Sequence, residues 1–224
     1  MLTTLDRIDT LEKLIYDPSL VLYLPLYRLD GASFVSKEAY GHFCTVSGAL
    51  WRPDGRYFDG VDDLINCGND SSLYSADYIT IEQWINPTDA GEDNYGQLLW
   101  KQGATGGFNA YMNQGPNLVL SIKVGGAFKG VATTGNKVSY GVWHHLVCLY
   151  DGANVITYVD MEKFVGDAAT GLIDDHSAET LFIGARSGGA YDFHGLIGEV
   201  RIYNRALTPL EIQRNYLATK WRYK

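Results

Sequence analysis

The alternation of short apolar runs with turn residues restricts the fold of this chain more than any other feature. From Leu20 onward, runs rich in Val, Ile, Leu, Tyr and Phe are interrupted about every 8 to 12 residues by Gly, Asp or Asn. In the run Ile79–Ile85, a mostly apolar face alternates with a mixed face that carries Trp84, and we expect the mixed face to line a concave surface. So many short strands predict an all-β protein with two antiparallel sheets.

Helices are predicted at both ends of the chain. A spacing of three or four residues predicts a short amphipathic helix that ends at Asp17-Pro18, and its apolar positions are Leu2, Leu5, Ile8, Leu11 and Ile15. Thr208-Pro209 predicts a second, N-capped helix that closes the domain. We therefore divide the chain into a helical leader, residues 1–19, and one domain, residues 20–224. The leader either docks on the domain or joins subunits into a homo-oligomer.

The charge balance excludes two classes of partner. The chain has 18 Lys+Arg against 26 Asp+Glu, a net charge of −8, with no long basic cluster. Phosphate backbones and anionic lipid surfaces require a cationic footprint, so we expect binding neither to nucleic acid nor to a membrane. No apolar run approaches the roughly 20 residues of a transmembrane helix, and charges interrupt residues 1–20, so no signal peptide is expected.

The cysteines limit the chemistry further. Three cysteines without CxxC spacing argue against a zinc site and against a full disulfide framework. Cys148 lies in an apolar run and is expected to be a buried thiol. Cys44 and Cys67 remain as the pair that could form one internal bridge.

A long C-terminal motif identifies a family resemblance. Residues 195–216 read Gly-Leu-Ile-Gly-Glu-Val-Arg-Ile-Tyr-Asn-Arg-Ala-Leu-Thr-Pro-Leu-Glu-Ile-Gln-Arg-Asn-Tyr, and YFDGVDD at 57–63, ITIEQWINP at 79–87 and WHHLV at 143–147 precede them in order. These motifs closely resemble the signature of laminin-G-like, concanavalin A-type jelly-roll domains. The resemblance implies a sandwich of two curved antiparallel sheets. Members of the family mostly bind sugars and some are glycosidases, so the fold alone does not decide the function.

Catalysis is not expected. Glycosidases of the laminarinase type with this fold carry two glutamates on one strand face, written E-x-D-x-E or E-x-D-x-x-E, and neither pattern occurs here. Retaining hydrolysis needs two carboxyl groups about 5–5.5 Å apart. The acidic pairs of this chain lie between turn residues, and a nucleophile elbow and a phosphate-binding loop are also missing from the sequence.

Two kinds of calcium site can be compared with the acidic residues of the chain. Pentraxin-like relatives gather calcium ligands from two neighbouring loops, but the matching stretches here offer only Asn109 and Asp192, too few for an ion that takes 6 to 8 oxygens. A structural calcium ion is the second hypothesis, with Asp59, Asp62 and Glu199 as its ligands. The alternative is that these acids only cap turns.

Non-catalytic recognition of a carbohydrate or glycoprotein is the function that these observations favour. Sugar sites combine an aromatic platform with planar polar groups. The residues predicted to bind the ligand are Tyr95, Trp100, Asn109, Arg186, Tyr191 and Asp192.

A structural or assembly protein is the alternative, such as an appendage or decoration domain of a virion or cell surface that oligomerises through its N-terminal segment. Either function places the protein outside the cell or on a virion or cell surface.

Overall fold

A computed structural model describes residues 17–186, 188 and 190–224 of the protein. Within them the chain forms 16 strands, two single turns of 3-10 helix at Ser71–Leu73 and Glu92–Asn94, and an α-helix at Pro209–Thr219. The strands are β1 Leu20–Leu24, β2 Ser33–Val35, β3 Phe43–Ser47, β4 Leu50–Arg52, β5 Gly55–Asp59, β6 Leu64–Asn66, β7 Ile79–Pro87, β8 Gln97–Gln102, β9 Gly107–Asn113, β10 Asn117–Val124, β11 Ala127–Ala132, β12 His144–Tyr150, β13 Asn154–Val159, β14 Glu162–Ala168, β15 Phe182–Ile183 and β16 His194–Tyr203.

The strands form two antiparallel sheets of eight strands each. The first sheet has the order β14-β13-β12-β7-β16-β5-β4, with β1 as its eighth strand beside β16, and the second has the order β11-β10-β9-β8-β15-β6-β3-β2. The long strand β16 pairs with β7 on one side and with β5 and then β1 on the other. Because β16 holds the C-terminal motif, this motif builds the centre of the first sheet.

The main core lies between the two sheets. In β10, Leu118, Leu120 and Ile122 are fully buried while Ser121 between them faces outward. Phe58 of β5 and Phe193 meet edge to face with ring centroids 6.2 Å apart. Each such side chain stabilises the fold by about 1.5–3 kcal/mol when it leaves water. In β10, alternating burial therefore leaves one face of the strand in the core and the other face directed outward.

The outer face of the first sheet is covered by the C-terminal helix. Thr208 and Glu211 form a capping box, in which the Glu211 carboxylate accepts the Thr208 N–H at 2.8 Å. Trp84 stacks on Tyr216 and Tyr223, and its indole N–H donates to Thr219 at 2.9 Å. The mixed face of β7 is therefore a second buried layer, and the expectation that it lines a concave binding surface was wrong.

The fold class predicted from sequence is confirmed: two antiparallel sheets with a C-terminal helix. The predicted N-terminal helix falls on residues 1–16, outside the described residues, so the division at residue 19 stays a prediction. All three cysteines are buried and free. Along the described ranges, no helix is long and apolar enough to cross a membrane.

Candidate functional site

An open depression of about 290 Å³ lies on the outer face of the second sheet, over β8 to β11. Two loops complete it, the segment before β8 and the connection from β15 to β16. Five of the six predicted ligand-binding residues line the depression: Tyr95, Trp100, Asn109, Arg186 and Tyr191. The lining residues that the sequence analysis missed are Gln97, Gln102, Tyr111, Ser121 and Phe128.

The register of the strands explains why residues distant in sequence meet here. Asn109 of β9 is paired with Trp100 of β8 on one side and with Ser121 of β10 on the other. Cross-strand partners share a face, so these three side chains form a row across the sheet. Their neighbours Phe108 and Ala110 point into the core. Alternation of polar and apolar residues along β9 was the signal that could have identified Tyr111 as well.

Aromatic rings form the walls of the depression. Tyr95 contacts Tyr111 and Tyr191 with ring centroids about 6 Å apart. The Arg186 guanidinium lies over Trp100 and Tyr191, at 5.5 and 5.0 Å from the ring centroids. Cation–π contacts of this kind hold the loop arginine against the sheet. The rings thus form a connected apolar wall around the open mouth of the depression.

Amide groups form the floor, and several of their oxygens have no partner. Gln97 Oε1, Gln102 Oε1 and Asn109 Oδ1 are buried and accept no hydrogen bond within the protein. A buried acceptor without a donor costs about 1–3 kcal/mol. Three such acceptors therefore belong to side chains that line one depression.

The backbone at Tyr191 is held in an unusual conformation. Its φ of 58° lies in the left-handed region, which non-glycine residues rarely adopt. The Glu92 carboxylate accepts the Tyr191 N–H, and the Tyr191 carbonyl accepts the Gln97 N–H at 2.7 Å. These contacts hold Tyr191 in place, with its ring beside that of Tyr95.

Asp192, the sixth predicted residue, does not line the depression. Its side chain is fully buried and both carboxylate oxygens lack a hydrogen-bond partner. Burial, followed by the negative charges of Glu92 and Asp62, raises the pKa of Asp192 to about 6. The left-handed turn at Tyr191 separates the two neighbours, so Tyr191 faces the depression and Asp192 does not.

The structure brings two of the predicted metal ligands, Asp59 and Asp62, together and separates the third, Glu199, from them. The carboxylate oxygens of Asp59, Asp62 and Asp63 lie within 4.8 Å of one another at the end of β5. Glu199 lies five residues along β16 from His194, the register partner of Asp59, a strand length of about 16 Å. There Glu199 binds the buried Arg201 guanidinium at 2.7 Å. Glu199 is an ion-pair partner, and Asp63 takes its place in the acidic group.

The sequence of the chain shows its family. A laminin G model of the Concanavalin A-like lectin/glucanases superfamily matches residues 59–213, well over half of the chain. The protein therefore belongs to this superfamily, and the resemblance found in its motifs is confirmed. No curated protein matches the chain by sequence.

Solved structures share the fold at low sequence identity. The binding domain of Paraclostridial Mosquitocidal Protein 1 superposes with a TM-score of 0.69 at 15% identity, over 91% of this chain and 52% of that one. The binding domain of botulinum neurotoxin DC, solved in complex with SialylT, has a TM-score of 0.66 at 14% identity, over 89% and 51%. The present chain thus spans about half the length of these toxin domains.

One similar structure is a domain of about the same size as the present chain. Domain 4 of an extracellular GH43 arabinanase from Geobacillus stearothermophilus, in complex with arabinotriose, has a TM-score of 0.65 at 18% identity. The superposition covers 87% of this chain and 96% of the arabinanase domain. At such identities the likeness shows the shared fold.

Proposed function

We propose that the protein is a non-catalytic carbohydrate-binding domain that holds a glycan in the depression over β8 to β11. The observation that carries this proposal is the set of unpartnered amide oxygens of Gln97, Gln102 and Asn109 next to aromatic walls. Sugars present hydroxyl donors around their edges and C–H groups on their faces. The depression offers acceptors for the first and rings for the second.

The chemistry of the lining favours binding over hydrolysis. Among the described residues that line the depression there is no carboxylate, whereas hydrolysis by retention uses two carboxyl groups about 5–5.5 Å apart. Arg186 is charged and lies against two rings, and the other described residues of the lining are uncharged at neutral pH. Amides and phenols can orient a sugar but supply neither a strong acid nor a nucleophile at neutral pH.

The comparisons support the same proposal. The structurally similar arabinanase domain was solved with arabinotriose and the neurotoxin domain with SialylT. Those domains belong to an extracellular enzyme and to toxins, in keeping with a protein that acts outside the cell or on a surface. A glycan or glycoprotein partner is therefore the first to test.

A glycan array followed by titration calorimetry tests the proposal. The array should include arabino-oligosaccharides, and the tightest glycan is then titrated into wild type and variants. Trp100→Ala should weaken binding by a factor of about 2 to 10, because an aromatic contact contributes about 0.5–1.5 kcal/mol. Asn109→Ala should weaken it by a similar factor, since a glycan hydroxyl loses its acceptor.

Phe43→Ala is the matched control, because Phe43 is an exposed aromatic residue of the same sheet that does not line the depression. Equal affinities for all four proteins would place the glycan elsewhere and contradict the proposal. An array without any bound glycan, with calcium present, would favour the assembly function instead.

A further inference from the structure

We propose that the protein has a second binding site, which takes a small ligand with an apolar body and a carboxylate group. The site is a cavity of about 320 Å³ at the edge of the sandwich where both sheets end, and Arg56 is the cation that receives the carboxylate. This site is separate from the depression over β8 to β11 and does not depend on the carbohydrate proposal.

The cavity lies at an open edge of the sandwich. The last strand of the first sheet on this side is β4, and the last strand of the second sheet is β2. Val46 of β3, Trp51 of β4 and the loop before β2 contribute to the walls. Leu29 and Leu50 also line the cavity and are 72% and 55% exposed, so its mouth is open to solvent. Apart from Arg56, the described lining consists of apolar side chains and glycines.

Arg56 occupies a core position of β5. Because side chains alternate along a strand, Arg56 points to the same face as Phe58, which is fully buried in the core. Arg56 itself is only 3% exposed, and its guanidinium carbon lies 5.5 Å from the centre of the Phe34 ring. Arginine is almost never buried to this extent without a partner of opposite charge. The strand therefore places a cation beside an apolar cavity.

The Arg56 guanidinium forms no ion pair with the described residues. Its Nη1 donates to the Ala49 carbonyl at 3.2 Å and its Nη2 donates to the Gly31 carbonyl, while its buried Nε has no acceptor. Burial lowers the pKa of Arg56, and the charge of Asp30 opposes this effect. The Asp30 carboxylate, however, is paired with Lys37 at 3.9 Å. The charge of Arg56 is thus held by backbone carbonyls alone.

The unmatched charge and the apolar walls together define the ligand. A carboxylate can accept two N–H groups of a guanidinium at once, and such charge-assisted bonds are about twice as strong as neutral ones. A volume of 320 Å³ is at the lower end of the range for small-molecule sites, about 300–1,000 Å³. A short-chain fatty acid or a small aromatic acid has this size and chemistry. The bonds to Gly31 and Ala49 also tie two loops together, but that role requires no cavity.

Calorimetry with octanoate, in the absence of glycan, tests the site. Octanamide is the matched probe, because it has the same apolar chain without the negative charge. Octanoate should bind wild type, and octanamide should bind at least about tenfold more weakly because it offers no charged acceptor to Arg56. Arg56→Gln should remove this preference, so that both probes bind it with the same affinity.

A pair of surface variants separates the cavity from the rest of the protein. Leu50→Asp adds a negative charge to the cavity wall and should weaken octanoate binding about tenfold, because like charges repel in a site of low dielectric. Leu172→Asp makes the same change at an exposed leucine outside the cavity and should leave the affinity unchanged.

Three results would each overturn the proposal. They are the absence of octanoate binding by wild type, equal affinities of wild type for octanoate and octanamide, and equal affinities of Leu50→Asp and Leu172→Asp for octanoate. If Arg56→Gln fails to fold, the two leucine variants still decide, since both replace exposed side chains.

Discussion

Lys101 is a buried cation in the middle of β8, opposite Phe108 of β9. Its ammonium group donates to the Glu179 carbonyl, and burial lowers the pKa of Lys101 from 10.5 to about 8. Because the folded pKa lies below the unfolded one, the unfolded chain binds more protons between pH 8 and 10.5. The free energy of unfolding should therefore rise across this window by about 2 kcal/mol relative to Lys101→Met, after solvent screening.

Urea unfolding of wild type and Lys101→Met at several pH values checks this prediction. Tyrosine titration is common to both proteins and cancels in the difference. Parallel pH profiles would mean that Lys101 is as well solvated in the fold as in the unfolded chain.

Single residues also show where sequence reasoning reached its limit. Alternation predicts exposed side chains on a regular strand, but the left-handed φ at Tyr191 and the register shift between Ile197 and Glu199 break the alternation. Neither irregularity is readable from residue type. The turn at Tyr191 directs Asp192 away from the depression, whereas Trp100 and Asn109 lie on regularly paired stretches of β8 and β9 and line it. Glu199 is far from Asp59 for a different reason, since about 16 Å of β16 separates it from His194, the partner of Asp59.

At the scale of elements, β3 and β6 bring two thiols together. Thr45 is paired with Asn66, so Cys44 lies opposite Cys67 in the same antiparallel register. A hydrogen bond to Cys44, followed by burial, raises the pKa of Cys67 well above its usual value. Refolding in a glutathione redox buffer should join the pair, with two thiols oxidised as oxidised glutathione is reduced. The bridge should add about 3 kcal/mol by restricting the unfolded chain.

Intact-mass analysis and thiol counting check the bridge. Cys148→Ala should form it and Cys67→Ala should not. A wild-type protein that refolds with three free thiols in the oxidising buffer would contradict the prediction.

The number of buried side chains differs widely among the strands, and with it the signal that each strand leaves in the sequence. The strands β7, β10 and β12 have seven or more residues, and most of their side chains are buried. Their long apolar runs therefore identify them as strands in the sequence. The three-residue strands β2 and β4 give little signal, because β2 buries one side chain and β4 none. Without an apolar face, a short strand differs little in composition from a loop, and only its pairing in the sheet defines it.

At the scale of the whole molecule, the candidate site comes from non-local pairing. The depression joins β8 to β11 with a later loop, well separated from them in sequence, that carries Arg186 and Tyr191. The family motifs predicted the sandwich because they encode its core and turns. The lining residues lie outside those motifs. The motifs therefore predicted the fold of the chain but not the residues of the candidate site.

Residues 17–224 should fold without the segment that precedes them. Both sheets, the core and the C-terminal helix lie in this range. Arg205, which precedes the helix, binds Asp17 at 2.7 Å and Ser19 at 2.8 Å and so connects the start of this range to the C-terminal part of the domain. Deletion of residues 1–16 should therefore leave the β-sheet circular dichroism unchanged. Deletion of residues 1–19 should cost about 1 kcal/mol more, because Arg205 then loses two partners in a half-exposed network.

Light scattering on the full chain and the shorter deletion tests the predicted role of the leader in assembly. A lower mass for the truncated protein, with its β structure intact, would show that residues 1–16 join subunits. Equal masses would reject that role, and an unfolded truncated protein would show that the leader is integral to the core.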